Sequence, residues 1–149
     1  MYDLKIINAI VIDGTGSQRF LGEVAVNKDI IVDRGQNLGS SKNVFDAEGH
    51  ILCPGIIDTH THYDAQLTWD NLASPSLDLG VTTAIIGNCG FTIAPCKPEH
   101  RDLNMLNLTK VEGMPYNTLK AGIDWGYESY KEYLNLLERK KLAINVCSY

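Results

Sequence analysis

The chain has 149 residues, 44% of them hydrophobic, with a formal net charge of -5 and a pI near 5.2, a soluble globular composition long enough for one core. The acidic balance argues against nucleic acid or an anionic membrane surface as the main partner, because both require clustered Lys and Arg. The only basic cluster, Arg139-Lys140-Lys141, falls where a helix should end and complements its dipole there.

Met1-Tyr2-Asp3-Leu4-Lys5 carries an acid early and no sustained apolar run follows, so neither a secretory signal nor a spanning helix is expected. The expected compartment is the cytoplasm. There Cys53, Cys89, Cys96 and Cys147 should be reduced thiols, each to be weighed as a ligand or a core residue.

In chain order, residues 3–53 read as short strands separated by turn residues, the pattern of a small antiparallel β unit. Leu4, Ile6, Ile10 and Ile12 share one parity, and Asp13-Gly14-Thr15-Gly16 stops that strand. Strands are expected at 23–27, 30–33, 44–46 and 51–53. Gly14-Thr15-Gly16 is no dinucleotide fingerprint, because the third glycine position holds Arg19 and no helix opens there.

After Pro54-Gly55 the pattern changes to apolar strands alternating with helical stretches, as in βαβ units with a parallel sheet. Strands are expected over 56–60 and 81–87, the second buried on both faces, and a third over 142–149. A helix over 99–110 follows Pro98, whose fixed φ suits a first turn. Another spans 128–140, with Tyr130, Tyr133, Leu134 and Leu137 forming one apolar stripe.

Two motifs carry chemistry. Pro54-Gly55-Ile56-Ile57-Asp58-Thr59-His60-Thr61-His62 reads as a strand presenting two imidazoles on one face, with Thr61 opposite. Neutral imidazoles held this way suit zinc, each needing an acceptor for its second ring nitrogen; Asp58 and Asp64 share the parity of the pair and are candidate acceptors. Val81-Thr82-Thr83-Ala84-Ile85-Ile86-Gly87-Asn88-Cys89-Gly90 reads as a buried strand breaking at a thiol between glycines, which permit a sharp turn and close approach. Both motifs lie at carboxyl ends of strands, where function gathers in parallel α/β architectures, and a thiolate is a strong zinc ligand. His50, His100, Cys53, Cys96 and Cys147 read as turn, surface, core or loop residues.

Taken together, the motifs resemble the amidohydrolase superfamily and, within it, the D-aminoacylase (N-acyl-D-amino-acid deacylase) family. The matching residues are Met1-Tyr2-Asp3-Leu4, Val11 through Gly16, Pro54 through Asp70, Gly80-Val81-Thr82-Thr83 and Gly87 through Cys96. Val111-Glu112-Gly113-Met114-Pro115 and the Asp124-Trp125 region complete the likeness, which runs end to end.

The resemblance implies hydrolysis of the amide bond of small-molecule N-acyl-D-amino acids with zinc, in an α/β fold pairing a small β-sandwich with a (β/α)8 barrel. It implies His60, His62 and Cys89 as metal ligands, the thiol separating this family from hydantoinases and dihydroorotases, which bridge their metals with a carboxylated lysine. Residues 1–54 would then be part of the sandwich and 55–149 the first two or three βα units of an incomplete barrel, since a whole one needs about 250 residues. The acid/base and further histidine ligands are expected beyond residue 149, so the isolated chain should be inactive. Competing expectations are a non-catalytic truncated chain and a cyclic amidohydrolase of the hydantoinase type. A departure from the family pattern is Asn27-Lys28-Asp29-Ile30-Ile31, where the family usually has a glycine in the turn.

Overall fold

Strand β1 (Tyr2–Val11) is an interior strand of the first sheet in the computed structural model, which describes residues 1–149. The chain divides into two units, Met1–Pro54 and Gly55–Tyr149. No helix is long and apolar enough to cross a membrane.

In the first unit β2 (Phe20–Asn27) pairs antiparallel with β1, and β3 (Ile30–Gly35) pairs antiparallel with β2. The β2–β3 turn accepts a lysine where glycine is usual. Lys28 takes φ +53°, and its N–H is held by the Asp3 carboxylate at 2.9 Å. Strands β4 (Ser41–Asp46) and β5 (Ile51–Leu52) both run parallel to β1, so the sheet is mixed where the sequence pattern predicted an antiparallel unit. The reason lies in the link after β3, which must carry the chain from one edge across to the free side of β1. Lys5 Nζ and the Glu23 carboxylate, themselves paired at 3.2 Å, bind the Leu38 carbonyl and N–H and fix that crossing.

A bulge also changes which residues of β1 face inward. Ile6 pairs with Val24 and Ala9 with Gly22, so β1 advances one residue more than its partner, with Asn8 at φ +54°. An extra residue inverts the alternation beyond it. Ile6 packs against the core from the even parity, whereas Ala9 and Val11 are buried from the odd one and Ile12 is exposed.

In the second unit β6 (Ile56–Asp58), β7 (Val81–Ile86) and β8 (Asn145–Ser148) form a parallel sheet in that order. Strand β7 is not buried throughout: Val81, Ala84 and Ile86 are buried, Thr83 and Ile85 are partly buried and Thr82 is exposed, against the expectation of burial on both faces. Between β6 and β7 the chain makes two 3-10 turns, Gln66–Thr68 and Leu77–Leu79, and no α-helix. Asp70 organises this link by accepting from the N–H groups of Leu72 and Ser74 and from the Gln66 amide, contacts that compete with helix formation.

Helix α1 (Arg101–Glu112) follows a 3-10 turn containing Pro98 and ends at Gly113, φ +67°. The sequence pattern assigns no element to the stretch that forms the short α2 (Tyr116–Gly122), which buries Leu119. Helix α3 (Tyr130–Lys140) starts at a capping box in which Ser129 and Glu132 exchange hydrogen bonds. Its buried stripe is Tyr133, Leu136 and Leu137; Leu134, expected inside, is exposed because Leu136 takes the place facing the core. At its far end Arg139 and Lys140 occupy the last turn, with Lys140 also paired to Asp124 at 3.1 Å.

Gly55, just before β6, makes one stability prediction. A Cβ there would overlap the Thr82 side chain on neighbouring β7, whose β-branched Cβ cannot swing away. Gly55→Ala is therefore expected to lower stability by about 1–3 kcal/mol, read as a fall in the urea unfolding midpoint. An unchanged midpoint would show that β7 yields at no cost.

Candidate metal centre

Strand β6 ends at Asp58, so His60 and His62 lie in the segment that follows and not within the strand itself. Alternation nevertheless persists, because this segment stays pinned to β7: the Thr61 N–H and hydroxyl both donate to the Ile85 carbonyl, at 3.2 and 2.9 Å. Thr61 is buried on one side, and the two imidazoles lie on the other with ring centroids 5.4 Å apart.

Beyond β7 the backbone takes left-handed φ values at Gly87 (+82°), Cys89 (+57°) and Gly90 (+73°), making a tight turn. Left-handed geometry suits glycine but costs roughly 1–2 kcal/mol at a residue with a side chain. Cys89 is held there by its surroundings. The Asn88 side-chain amide donates to the carbonyls of Thr61 and Ile85, and the Gly87 N–H donates to the Asp64 carboxylate. The Asn88–Thr61 and Gly87–Asp64 contacts clamp the cysteine turn to the histidine segment.

The clamp brings the His60 Nε2 to 3.0 Å from the Cys89 sulfur. One donor atom from each of His60, His62 and Cys89 lies within 4.8 Å of the others. The His62 ring is edge-on to Phe91, its Nδ1 bonds the Glu112 carboxylate, and its Nε2 is buried without a partner. A buried imidazole nitrogen with no partner beside a second imidazole and a thiol is the donor arrangement that a soft or borderline metal ion satisfies.

Neither aspartate expected to steady an imidazole does so. Asp58 accepts from the His60 backbone N–H at 3.1 Å, and Asp64 accepts from Gly87. Burial pushes the Asp64 carboxyl above the usual carboxylate range, opposed by the Gly87 hydrogen bond. The acceptor that does meet a ring nitrogen is Glu112, which the sequence reading did not single out as a site residue. Its one local signal is an acid in the final turn of a helix, where the dipole disfavours negative charge.

The remaining candidates lie apart from this cluster. Cys96 is buried with its sulfur accepting from the Asn104 amide at 3.1 Å, and burial raises its thiol pKa. Cys53 and Cys147 are exposed and unpaired. His50 bonds the Ala47 carbonyl within its turn, and His100 is exposed just before α1.

No family model matches the chain. An N-acyl-D-aspartate deacylase of Alcaligenes xylosoxydans xylosoxydans is 31% identical over 145 residues, which are 97% of this chain and 27% of that protein. A crystal structure of D-aminoacylase, described as defining a novel subset of amidohydrolases, matches with a TM-score of 0.77 at 29% identity, covering 99% of this chain and 29% of that one.

The chain is homologous to the D-aminoacylases of the amidohydrolase superfamily. D-aminoacylase has also been described with a binuclear metal centre. The N-acyl-D-glutamate deacylase of Bordetella bronchiseptica, complexed with zinc and a phosphonate mimic of the tetrahedral intermediate, matches with a TM-score of 0.68 at 27% identity, over 99% of this chain and 29% of that one. The chain thus spans less than a third of the length of each of these deacylase relatives.

Proposed function

We propose that His60, His62 and Cys89 hold zinc, in a protein that hydrolyses the amide bond of N-acyl-D-amino acids. The observation carrying this reading is the meeting of two imidazoles and a thiol from separate motifs, with the His62 Nε2 buried and unpartnered. Similarity to deacylases of N-acyl-D-aspartate and N-acyl-D-glutamate supports the substrate class, and the zinc in the latter's structure supports the metal. When bound, zinc supplies Lewis acidity that polarises an acyl carbonyl and activates water near neutral pH.

The residues of this chain prepare the site. His60 and Cys89 are exposed, so a substrate can reach them, while His62 is only partly exposed and anchors the inner side. The side chains of Thr61, Asn88 and Asp64 hold the two donor-bearing segments together through hydrogen bonds to backbone groups, which sets the spacing of the donors before any ligand arrives. In this proposal residues 55–149 are the opening βα units of a (β/α)8 barrel and residues 1–54 part of a β-sandwich.

By itself the 149-residue chain is expected to be inactive. Asp58 accepts from the His60 N–H, Asp64 accepts from the Gly87 N–H and Glu112 bonds the His62 ring, contacts that steady the donor-bearing segments. The test is zinc content by mass spectrometry together with amine release from N-acetyl-D- and N-acetyl-L-amino acids, using this chain and any longer product of the same gene. Stoichiometric zinc, no turnover by the 149 residues and D-selective turnover by the longer product are expected. Preference for L-substrates, or zinc content unaffected by removing all three donors, would overturn the reading.

A further inference from the structure

Glu112 is the last residue of α1, fifty positions from His62 in sequence, and its carboxylate bonds the Nδ1 of that ring. Local physics gives no reason for an acid there. The unpaired carbonyls at a helix C-terminus repel a carboxylate, an effect of about 0.3–1 kcal/mol. Gly113, in the left-handed conformation at φ +67°, ends the helix immediately after Glu112 and so delivers its side chain beside the donor cluster.

A neutral imidazole has one ring nitrogen that donates and one that accepts, while a carboxylate only accepts. The contact therefore requires the proton on Nδ1 and leaves the lone pair on Nε2, the atom that is buried and unpartnered. His60 differs: its exposed ring has no carboxylate partner, and its Nε2 meets the Cys89 sulfur. We propose that Glu112 is a positioning residue that presets the His62 tautomer and ring orientation for metal binding, leaving His60 as the adjustable member of the pair. The inference rests on the metal reading above.

Two measurements on the 149-residue chain test it and separate its failure from that of the metal reading. The first is the His62 tautomer, read by nitrogen-15 NMR of the metal-free chain at about pH 8, where imidazole is neutral. The second is zinc affinity by competition with a chromophoric chelator, with cobalt substitution reporting the thiolate charge-transfer band of Cys89. Wild type is expected to show the Nδ1–H form. Glu112→Ala should lose that preference and bind zinc roughly 10- to 100-fold more weakly, with the Cys89 band retained. Glu112→Gln, which keeps an acceptor oxygen, should preserve the tautomer and most of the affinity. Circular dichroism monitors α1. Should the alanine variant unfold, Glu112→Asp, whose carboxylate falls one methylene short, carries the same expectation. Wild-type tautomer and wild-type zinc affinity in Glu112→Ala would overturn the proposal. A wild-type chain that takes up no zinc, yet loses the Nδ1–H form on Glu112→Ala, would support the positioning role and sink the metal reading alone.

Discussion

Cys89→Ala is expected to lower metal affinity by more than about 100-fold, beyond the loss typical of removing a ligand's hydrogen-bond partner, while leaving the fold in place. Cys89 is exposed, so its truncation opens no cavity, and the clamps on its turn run through Asn88 and Gly87. Cys89→Gly sharpens the test. At φ +57° a side chain strains the backbone by roughly 1–2 kcal/mol, and glycine relieves this at an entropic cost of about 0.5–1 kcal/mol. The glycine variant should therefore be at least as stable as wild type towards urea and equally unable to hold metal. Strain kept at a residue that glycine would replace without loss of stability points to a use for its thiol. Metal content by mass spectrometry and urea midpoints settle both parts. Stoichiometric metal in Cys89→Ala would remove the thiol from the site, as a hydantoinase-type centre requires.

The second large effect is expected at Tyr133, which is fully buried in α3, packs against Tyr127 with ring centroids 5.1 Å apart and donates its hydroxyl to the Asp64 carbonyl at 2.9 Å. Burial pushes both tyrosine hydroxyls well above their ordinary pKa. Tyr133→Ala removes a whole aromatic ring from the core and should cost about 3–5 kcal/mol, a large part of the 5–15 kcal/mol typical of a domain. Tyr133→Phe keeps the ring and removes only the hydrogen bond, for about 1 kcal/mol. The contrast separates packing from the tether to Asp64, two residues beyond His62. Equal losses in the two variants would mean that the hydroxyl, not the ring, carries the stability.

Several elements were legible because their causes are local. The strand-forming runs and turn residues around β2, β3 and β7 and the proline before α1 each act within a few residues of themselves. The His60-Thr61-His62 and Gly87-Asn88-Cys89-Gly90 motifs were legible for a related reason: donor types and glycines can be read without knowing the fold. Their meeting within 4.8 Å is a fact of the structure. The misreadings have non-local causes. The inward face of β1 depends on a bulge defined by pairing with β2, and Leu134 gives way to Leu136 because the direction of the core is set by what α3 packs against.

Residue type and short-range order thus specify the strands of the first unit, the helices α1 and α3 and the identity of three donor side chains. Only tertiary structure decides that β4 runs parallel to β1, that Asp58 and Asp64 bind backbone N–H groups instead of imidazoles, and that Glu112 reaches His62 across fifty residues. The physical reason is common to all three. Such contacts join segments whose separation along the chain carries no period, so they exist only once the intervening loops have closed and the sheets have set their register.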